Sequence, residues 1–363
     1  MYDKLFYVIM LLLLIINSMD AQQLTLTSVV FDRENNEHVV GAHVYIEGSS
    51  LHAVTGLDGR FEITTDSYIN RPLVISHIVY GTMTVHNPFF SLPDTLFVVE
   101  KENMLGDVVV PAARYSRRQL LNAFRREFLG KSLGATSCII ENEEKIDIWF
   151  NYQTHMLSAS CDEPVIIHNR YLAYRIYLTL EKFEVEYPGR QLGVGIPLQV
   201  FLEGSTFFED LEPSNIVIVK RRERVFIDSP PHFLRGLANE QLHAIAFNYI
   251  TYKLDKYRYE IEPSECFVIK KSSDQKEVRI DPGLRPEDLI FSTYHGRIYF
   301  GEIGITRNNV EHSRIIFFTD TIFIDAWGNL SNPNDVLFMG YMGHFRIGDQ
   351  LPVNYRTMTQ EKP

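Results

Sequence analysis

Short runs in which apolar and polar residues alternate recur at about ten-residue spacing from Gln23 onward, separated by Gly, Asn and Pro. In the stretch GAHVYIEG, the apolar residues Ala42, Val44 and Ile46 occupy alternate positions, and Tyr45 lies between two of them. Successive side chains of a strand point to opposite faces, so this pattern predicts a half-buried strand with Tyr45 on the outer face. A series of such strands indicates a β-sandwich.

The stretch TGLDGRF, residues 55–61, is either a ligand-binding loop or a turn between two strands. A calcium loop requires several oxygen-bearing side chains at alternate positions, and only Asp58 is present. A phosphate-binding loop ends in Gly-Lys-Ser or Gly-Lys-Thr, where this chain has Arg60 and Phe61. Because glycine accepts positive φ and aspartate bonds nearby backbone amides, we interpret the stretch as a turn.

The first 21 residues have the features of a secretory signal peptide. Lys4 precedes an unbroken apolar run, Leu5–Ile16, and Ala21 is a small residue at the expected cleavage point. The run is shorter than the ~20 residues that a membrane-spanning helix needs, and no later stretch of that length is free of charges. We expect the mature chain to be exported without a transmembrane span; a retained N-terminal anchor is the alternative.

Cleavage after Ala21 would leave 342 of the 363 residues, which accommodates two domains. The formal net charge is −11, and an acidic surface repels phosphate backbones, so nucleic acid is not an expected partner. The cysteines Cys138, Cys161 and Cys266 have no zinc-binding spacing. Cys138 and Cys161 can form a disulfide if their strands are neighbours, and buried reduced thiols are the alternative.

Residues 39–63, VVGAHVYIEGSSLHAVTGLDGRFEI, resemble the signature of carboxypeptidase-regulatory-like domains. The matching residues are Gly41, Ala42, Gly48, Thr55, Asp58, Gly59 and Phe61. Gly56 stands where the family commonly has aspartate, and Val79-Tyr80-Gly81 stands where it has Gly-Tyr. The resemblance covers residues 22–101 and implies a transthyretin-like, seven-stranded β-sandwich. It implies no peptidase activity, because a fold alone does not confer function.

Residues 102–116 are predicted to link the sandwich to a second domain, residues 117–363. Ser116 and Gln119 have the spacing of a capping box, and they predict a helix over residues 117–129. The apolar stripe of this helix is Leu120, Phe124 and Phe128, and a solvated opposite face explains its arginines more simply than an anionic partner. These arginines are Arg117, Arg118, Arg125 and Arg126.

Strand-like runs dominate the rest of the second domain, apart from a helical region near residues 214–238. In that region Ser229 and Pro230 form a helix start before an apolar stripe of Phe233, Leu234 and Leu237. The runs are CIIEN, KIDIWFNY, HMLSASC, PVIIHN and YLAYRIYLTLEKFEVEY, then AIAFNYITY, ECFVIKK, RIYFGEIGI, RIIFFTD, TIFIDAWGNL and VLFMGYMG. We expect a mainly β or α+β fold, in which an antiparallel β-rich domain with a few helices follows the sandwich.

Several stretches of the second domain resemble the C-terminal region that accompanies regulatory-like domains in uncharacterised envelope proteins of Gram-negative bacteria. They include CDEPVIIHNRYLAYRIYLTLEKFEV and GYMGHFRIGDQLPVNY. This resemblance implies an architecture and export, and no activity is attached to it.

The zinc patterns of metallopeptidases are absent from the sequence. It contains no HExxH, and none of its histidines begins an HxxE, so a metallopeptidase zinc site is not expected. Three groups of polar residues can perform acid/base chemistry only if their side chains converge, and bonds that fasten loops are the simpler explanation. The groups are His168, Asn169 and Arg170; His232 and Arg235; and His344, Arg346 and Asp349.

The run KRRERVF, residues 220–226, is basic within an acidic chain. We expect it to lie on a helix between Glu212 and Asp228, with acidic residues nearby to neutralise it. Arg221 and Arg222 are candidates for binding lipid phosphates or a glycan.

The sequence therefore favours a non-catalytic exported protein of the periplasm or outer-membrane periphery, with no catalytic residues, metal or cofactor. The sandwich is expected to serve as a docking or spacer module, and the second domain to bind another protein or a glycan. One alternative is a hydrolase of unfamiliar pattern that uses His232 and Arg235. Another is an accessory of an outer-membrane transport system.

Overall fold

The structure, a computed structural model, describes residues 23–101, 114–242, 249–254, 257–261, 267–271, 275–280, 293–294, 297–298, 300–307 and 311–358. The predicted signal peptide, most of the predicted linker and Cys266 lie outside these residues. The chain is mainly β with antiparallel sheets and a few helices, as expected. Within the described segments, no helix is both long and apolar enough to span a bilayer.

The N-terminal sandwich contains seven strands in two sheets. They are β1 (Leu24–Asp32), β2 (His43–Ile46), β3 (His52–Val54), β4 (Arg60–Thr65), β5 (Leu73–Ser76), β6 (Met83–Val85) and β7 (Thr95–Val98). One sheet has the order β4-β1-β7 and the other β3-β2-β5-β6. Leu26, Val44 and Phe61, all from alternating runs, are buried between the sheets. The predicted seven-stranded sandwich is confirmed.

The stretch TGLDG connects the two sheets as a turn, because β3 ends at Val54 and β4 begins at Arg60. The Asp58 carboxylate accepts a hydrogen bond from the Arg60 N–H at 3.1 Å. Gly59 has a φ of 69°, and a Cβ atom here would lie 2.7 Å from the Val30 carbonyl oxygen. This left-handed, closely packed position suits only glycine. The turn prediction is confirmed.

The first helix of the second domain, α1, spans Arg117–Phe128 and has the predicted capping box. The Ser116 side chain accepts from the Gln119 N–H, and the Gln119 side chain accepts from the Ser116 N–H at 2.9 Å. Phe124 is fully buried and packs edge-on against Phe183 at 5.0 Å between ring centroids. The apolar stripe therefore faces the core, as predicted.

A six-stranded antiparallel sheet packs against α1. A short helix α2 (Leu133–Thr136) precedes its strands β8 (Cys138–Ile140), β9 (Asp147–Asn151), β10 (Met156–Ser160), β11 (Val165–Asn169), β12 (Tyr174–Glu186) and β13 (Gln199–Asp210). β12 pairs with β11 and β10 along one edge and with β13 along the other. β13 lies outside the predicted strands, because Gly204 interrupts its pattern. A Cβ atom at Gly204 would lie 2.2 Å from the Thr179 carbonyl oxygen, so the close pairing requires glycine.

The predicted helical region forms two helices, α3 (Ile216–Phe226) and α4 (Pro230–Ala238). The Ser229 side chain caps α4 by accepting a hydrogen bond from the His232 N–H at 3.2 Å. The buried face of α4 contains the predicted stripe of Phe233, Leu234 and Leu237.

The remaining described strands form three further sheets, and residues of six of these strands share a core with α4. They are β14 (Tyr249–Leu254), β15 (Tyr257–Ile261), β16 (Phe267–Lys271), β17 (Lys276–Ile280), β18 (Thr293–Tyr294), β19 (Arg297–Ile298), β20 (Gly301–Arg307), β21 (Glu311–Phe317), β22 (Thr321–Ile324) and β23 (Val336–Gly340). Their sheets have the orders β15-β14-β20-β21-β23, β16-β17-β22 and β18-β19. Single turns of 3₁₀ helix lie at Glu143–Lys145, Pro333–Asp335, Met342–His344 and Ile347–Asp349.

The second domain covers the outer face of the β2–β5 sheet. Tyr45 is only 1% exposed, and its ring packs on the ring of Phe207 of β13, with 4.7 Å between the ring centroids. The Phe207 ring in turn stacks on the Tyr177 ring of β12, with 4.5 Å between the ring centroids. The Tyr45 and Ser205 hydroxyls are hydrogen-bonded at 2.8 Å. Tyr45 does lie on the face opposite Val44, and His43 on the same face is exposed, as a half-buried strand requires. The prediction is wrong at Tyr45, because the second domain covers this residue.

Backbone hydrogen bonds continue this interface around Gly48. Its N–H donates to the Thr206 carbonyl of β13 at 2.6 Å, and its carbonyl accepts from the Val353 N–H at 2.8 Å. The Phe208 N–H donates to the Ser49 carbonyl at 2.9 Å. The segment after β2 is therefore held between β13 and the C-terminal segment.

We expect Phe207→Ala to lower the free energy of unfolding by about 3–5 kcal/mol, because it removes the ring that fills the interface. Phe90→Ala, which truncates a ring that is 64% exposed, should change it far less. Denaturation followed by fluorescence and circular dichroism checks this. Equal effects of the two substitutions would contradict the burial assigned to Phe207.

Candidate functional site

Arg222, a candidate for binding lipid phosphates or a glycan, is 4% exposed. Its two Nη atoms each donate to an Asp210 carboxylate oxygen at 2.7 Å, and its Nε donates to the Leu172 carbonyl at 2.8 Å. The guanidinium lies 3.8 Å from the centroid of the Tyr174 ring. Arg222 therefore fastens α3 to the sheet and offers no free edge to a ligand.

The other candidate basic residues lie nearer the surface. Arg221 is half-buried, with its guanidinium 4.9 Å from the centroid of the Tyr171 ring. In α1, Arg117 donates to the Glu143 and Ile146 carbonyls, Arg125 pairs with the Glu143 carboxylate and Arg126 pairs with Glu127, whereas Arg118 is exposed. Most of these arginines therefore interact with carbonyl or carboxylate groups, or with an aromatic ring, of the protein itself.

Arg235 is 5% exposed and lies in the interior of the second domain. Its Nε donates to the Trp327 carbonyl at 2.9 Å and its Nη1 donates to the Tyr355 carbonyl at 3.0 Å. Burial lowers the pKa of Arg235 to about 10, so the guanidinium still carries its charge at neutral pH. His232, on the same helix, accepts a hydrogen bond from the Asp228 N–H at 3.1 Å through Nδ1.

The C-terminal candidate group joins the first candidate group through Asn169. The fully buried Asn169 side chain donates to the Gly348 carbonyl at 2.9 Å. Asp349 accepts a hydrogen bond from the Ser132 hydroxyl, and burial raises the pKa of this carboxyl. Arg346 donates to the Gly343 and Phe345 carbonyls. These bonds hold the C-terminal turns against β11 and α2.

The candidate histidines make separate contacts. His168 lies 3.8 Å from the Glu141 carboxylate, between Nδ1 and Oε1, and His344 is exposed. Arg170 uses its backbone N–H to donate to the Ser137 carbonyl. Among the residues with described positions, no group of three or more His, Cys, Asp or Glu is placed to hold a metal ion.

Cys138 and Cys161 are free thiols in the structure, and both are half-buried. Cys138 lies on β8, which pairs with β11, whereas Cys161 follows β10, which pairs with β9 and β12. Burial raises the pKa of the Cys138 thiol to about 12. The strands β8 and β10 are not neighbours, and both cysteines are reduced thiols in the structure.

A cavity of about 490 Å³ lies where the sandwich, β13, α3, α4 and the C-terminal turns meet. Of the candidate residues, Arg235, Arg346 and Asp349 line it, whereas none of His168, His232 and His344 does. Glu47, Arg71 and Tyr355 also line the cavity. The candidate groups thus converge in part, but without an imidazole to transfer a proton.

Glu47 and Arg71 enter the cavity from two adjacent strand ends of the sandwich, since the Glu47 N–H donates to the Pro72 carbonyl at 3.0 Å. The Glu47 carboxylate forms no hydrogen bond or salt bridge with any residue that the structure describes. Burial raises its pKa, and the charge of Arg71 opposes this shift. The Arg71 Nε is buried and has no hydrogen-bond partner within the described part of the chain.

Tyr355 brings a further unpaired group to the same cavity. The residue is 8% exposed, and its hydroxyl has no hydrogen-bond partner among the residues that are described. Burial raises the pKa of Tyr355 to about 12. An unsatisfied buried polar group costs roughly 1–3 kcal/mol, so such groups are expected where a ligand or water completes the bonding.

Sequence reasoning did not find Glu47, Arg71 or Tyr355 as site residues. They belong to no motif and lie far apart in the chain. The only local signal is that two charged residues stand at the ends of neighbouring strands. The pairing of β2 with β5, which brings those ends together, is a tertiary fact.

Comparison with known proteins bears on the sandwich that supplies Glu47 and Arg71. The sequence model of the family described as the CarboxypepD_reg-like domain matches residues 26–110. The chain contains a carboxypeptidase-regulatory-like domain. The resemblance found in its sequence is thereby confirmed for this part of the chain. A search of curated proteins found no match.

The regulatory-like domain is also joined to the rest of the protein through Trp327. This residue of the second domain is 4% exposed and packs into the regulatory-like core, with its indole N–H donating to the Tyr68 carbonyl at 3.0 Å. The neighbouring Asp325 accepts from the Asn70 N–H at 3.3 Å. The regulatory-like domain is therefore a fixed wall of the cavity.

We expect Arg222→Ala to lower the free energy of unfolding by about 3–5 kcal/mol, because Asp210 would be left without its buried partner. Arg221→Ala removes a stacked, half-buried cation and should cost about 0.5–1 kcal/mol. Urea denaturation of both variants measures the difference. Similar losses would show that Arg222 is not the fastening residue.

We expect Glu47→Gln to stabilise the protein above pH 7. The raised pKa of Glu47 means that its ionised form is disfavoured in the folded state, so stability is lost as the pH rises through the folded-state pKa. Below the unfolded-state pKa of about 4.3, both side chains are neutral and the two proteins should melt alike. Melting temperatures across pH 4–9 test this, with Glu62→Gln, on an exposed position of β4, as the control.

Proposed function

We propose that this chain is an exported, non-catalytic protein of the periplasm or outer-membrane periphery of a Gram-negative bacterium, which binds another protein through its regulatory-like domain. The signal-peptide pattern of the first 21 residues supports export. The resemblance of the second domain to envelope proteins supports the location.

The use of the candidate polar side chains supports a non-catalytic role. Arg222 and Arg235 donate to backbone carbonyls, and Asn169 and Arg346 do the same. Groups engaged in this way are positioned to hold loops together, and they are not available to abstract or deliver protons. His232 already accepts a backbone hydrogen bond at one ring nitrogen.

The observation that carries the binding proposal is the exposure of three aliphatic residues on two adjacent segments, Ile78, Val79 and Val99, called here the 78–99 patch. These side chains are 79%, 47% and 44% exposed, respectively. Backbone hydrogen bonds hold the two segments side by side, since the Gly81 N–H donates to the Val99 carbonyl and the Lys101 N–H donates to the Val79 carbonyl, each at 3.0 Å.

A grouped apolar surface on a fixed backbone is typical of protein–protein contact sites. The patch consists of aliphatic side chains, whereas glycan binding would require hydrogen-bonding groups or flat aromatic rings. It lies at an edge of the regulatory-like domain, where Lys101 also donates to the Asp162 carbonyl of the second domain at 3.2 Å. A protein partner therefore fits this surface better than a glycan.

Site-specific photo-crosslinking in the native host tests this function. A photoreactive residue at position 78 should give one discrete protein adduct in the envelope fraction, and the same residue at the exposed position 62 of β4 should not. Val79→Asp, at an exposed site, should abolish the adduct without changing the melting temperature. An adduct that survives Val79→Asp, that requires a glycan, or that occurs in the cytoplasm would overturn the proposal.

A further inference from the structure

We propose that the cavity between the regulatory-like domain and the second domain is a binding site for a small organic carboxylate, held by Arg71 and assisted by Tyr355 and Glu47. This site is separate from the 78–99 patch and goes beyond the proposed protein contact. Four structural observations support it.

The first observation is the distribution of unpaired groups. Within the described residues, the buried side-chain atoms without a hydrogen-bond partner are Arg71 Nε, Arg175 Nε and Tyr355 Oη. Two of these three atoms belong to residues that line the same cavity. Buried donors are normally satisfied, so their coincidence at one cavity indicates a missing acceptor.

The second observation is the charge of the lining. Arg71, Arg235 and Arg346 face Glu47 and Asp349, which leaves one excess positive charge even when both carboxylates are ionised. The chain as a whole has a formal net charge of −11, so this cationic lining stands out from the protein around it. A lining with more cations than carboxylates favours a ligand that carries a negative charge.

The third observation identifies the anchoring residue. Arg235 and Arg346 donate to backbone carbonyls, whereas the buried Arg71 Nε has no hydrogen-bond partner among the residues described. A planar guanidinium matches the two oxygens of a carboxylate through parallel N–H···O bonds. The Tyr355 hydroxyl can donate to the same anion, and a protonated Glu47 can do so as well.

The fourth observation concerns the body of the ligand. The remaining lining includes Phe226, Phe338, Leu351 and Val353, which provide apolar contacts. A volume of about 490 Å³ is within the usual range for small-molecule sites. The chemistry therefore fits a carboxylate on an apolar body, such as an acylated amino acid or a medium-chain fatty acid.

Isothermal titration of the full mature chain with matched probes tests the site. The probes are N-acetylphenylalanine and octanoate, each compared with its neutral amide. At least one of the two acids should bind saturably with one-to-one stoichiometry. The affinity for its neutral amide should be lower by at least about tenfold. The acid that binds better distinguishes a peptide-like source from a lipid-like source.

Substitutions identify the anchoring residue. Arg71→Gln should weaken binding of the acid by about tenfold or more, and Arg71→Lys should recover only part of the loss, because lysine keeps the charge but not the planar fork. Arg60→Gln, at an exposed arginine outside the cavity, should leave binding unchanged. Tyr355→Phe should weaken binding while raising the melting temperature of the free protein, because it removes an unsatisfied buried hydroxyl.

Three results would overturn the proposal: no saturable binding of either acid, equal binding of acid and amide, or unchanged binding after Arg71→Gln. The Tyr355→Phe variant keeps the test valid if Arg71→Gln does not fold. Loss of the 78–99 contact would leave acid binding intact, so the two proposals can fail independently.

Discussion

The packing of β2 of the regulatory-like domain against β12 and β13 of the second domain is the contact on which the rest of the structure depends. Tyr45, Phe207 and Tyr177 form a continuous aromatic stack across it, and the buried Tyr45–Ser205 hydrogen bond satisfies the polar end of the first ring. Burial of these aromatic rings removes a large apolar area from water, which stabilises the folded state. The contacts between paired rings add to this stabilisation. A regulatory-like domain held in this way is packed firmly against the second domain.

The same contact explains why a cavity exists. The segment at Gly48 is bonded on one side to β13 and on the other to the C-terminal segment through Val353. A side chain at Gly48, which has a φ of 70°, would meet Val353 at 3.0 Å. The backbones therefore approach closely at this point, where both Gly48 and Val353 line the cavity. Glu47 and Arg71 line this cavity, and the Arg71 Nε has no hydrogen-bond partner among the described residues.

Buried arginines help to hold the second domain together, and two of them, Arg222 and Arg235, are candidate site residues. Arg222 pairs with Asp210, while Arg235 donates to the carbonyls of Trp327 and Tyr355. Burying a charge is costly unless its hydrogen-bonding groups are satisfied, so these arginines need their several acceptors. In sequence, such residues resemble functional ones, because both are charged groups outside regular apolar patterns.

Local patterns determined the elements whose stability depends on neighbouring residues. The alternation of β2, the Asp58-Gly59 turn and the Ser116–Gln119 capping box each act within a few residues, and each was predictable from the sequence. β13 was not predictable, because Gly204 interrupts its pattern and its pairing with β12 provides the stabilisation. The burial of Tyr45 also depends on β13, so it could not be read from the strand itself.

The sequence by itself determined the two-sheet sandwich, its family and the β-rich character of the second domain, since periodicity and turn chemistry are local properties. The tertiary structure decided which faces are buried and which polar side chains meet. Arg71, Glu47 and Tyr355 share one cavity only because β2 pairs with β5 and the C-terminal segment returns to Gly48. Contacts between residues up to about 300 positions apart follow from packing, and no short stretch of sequence encodes them.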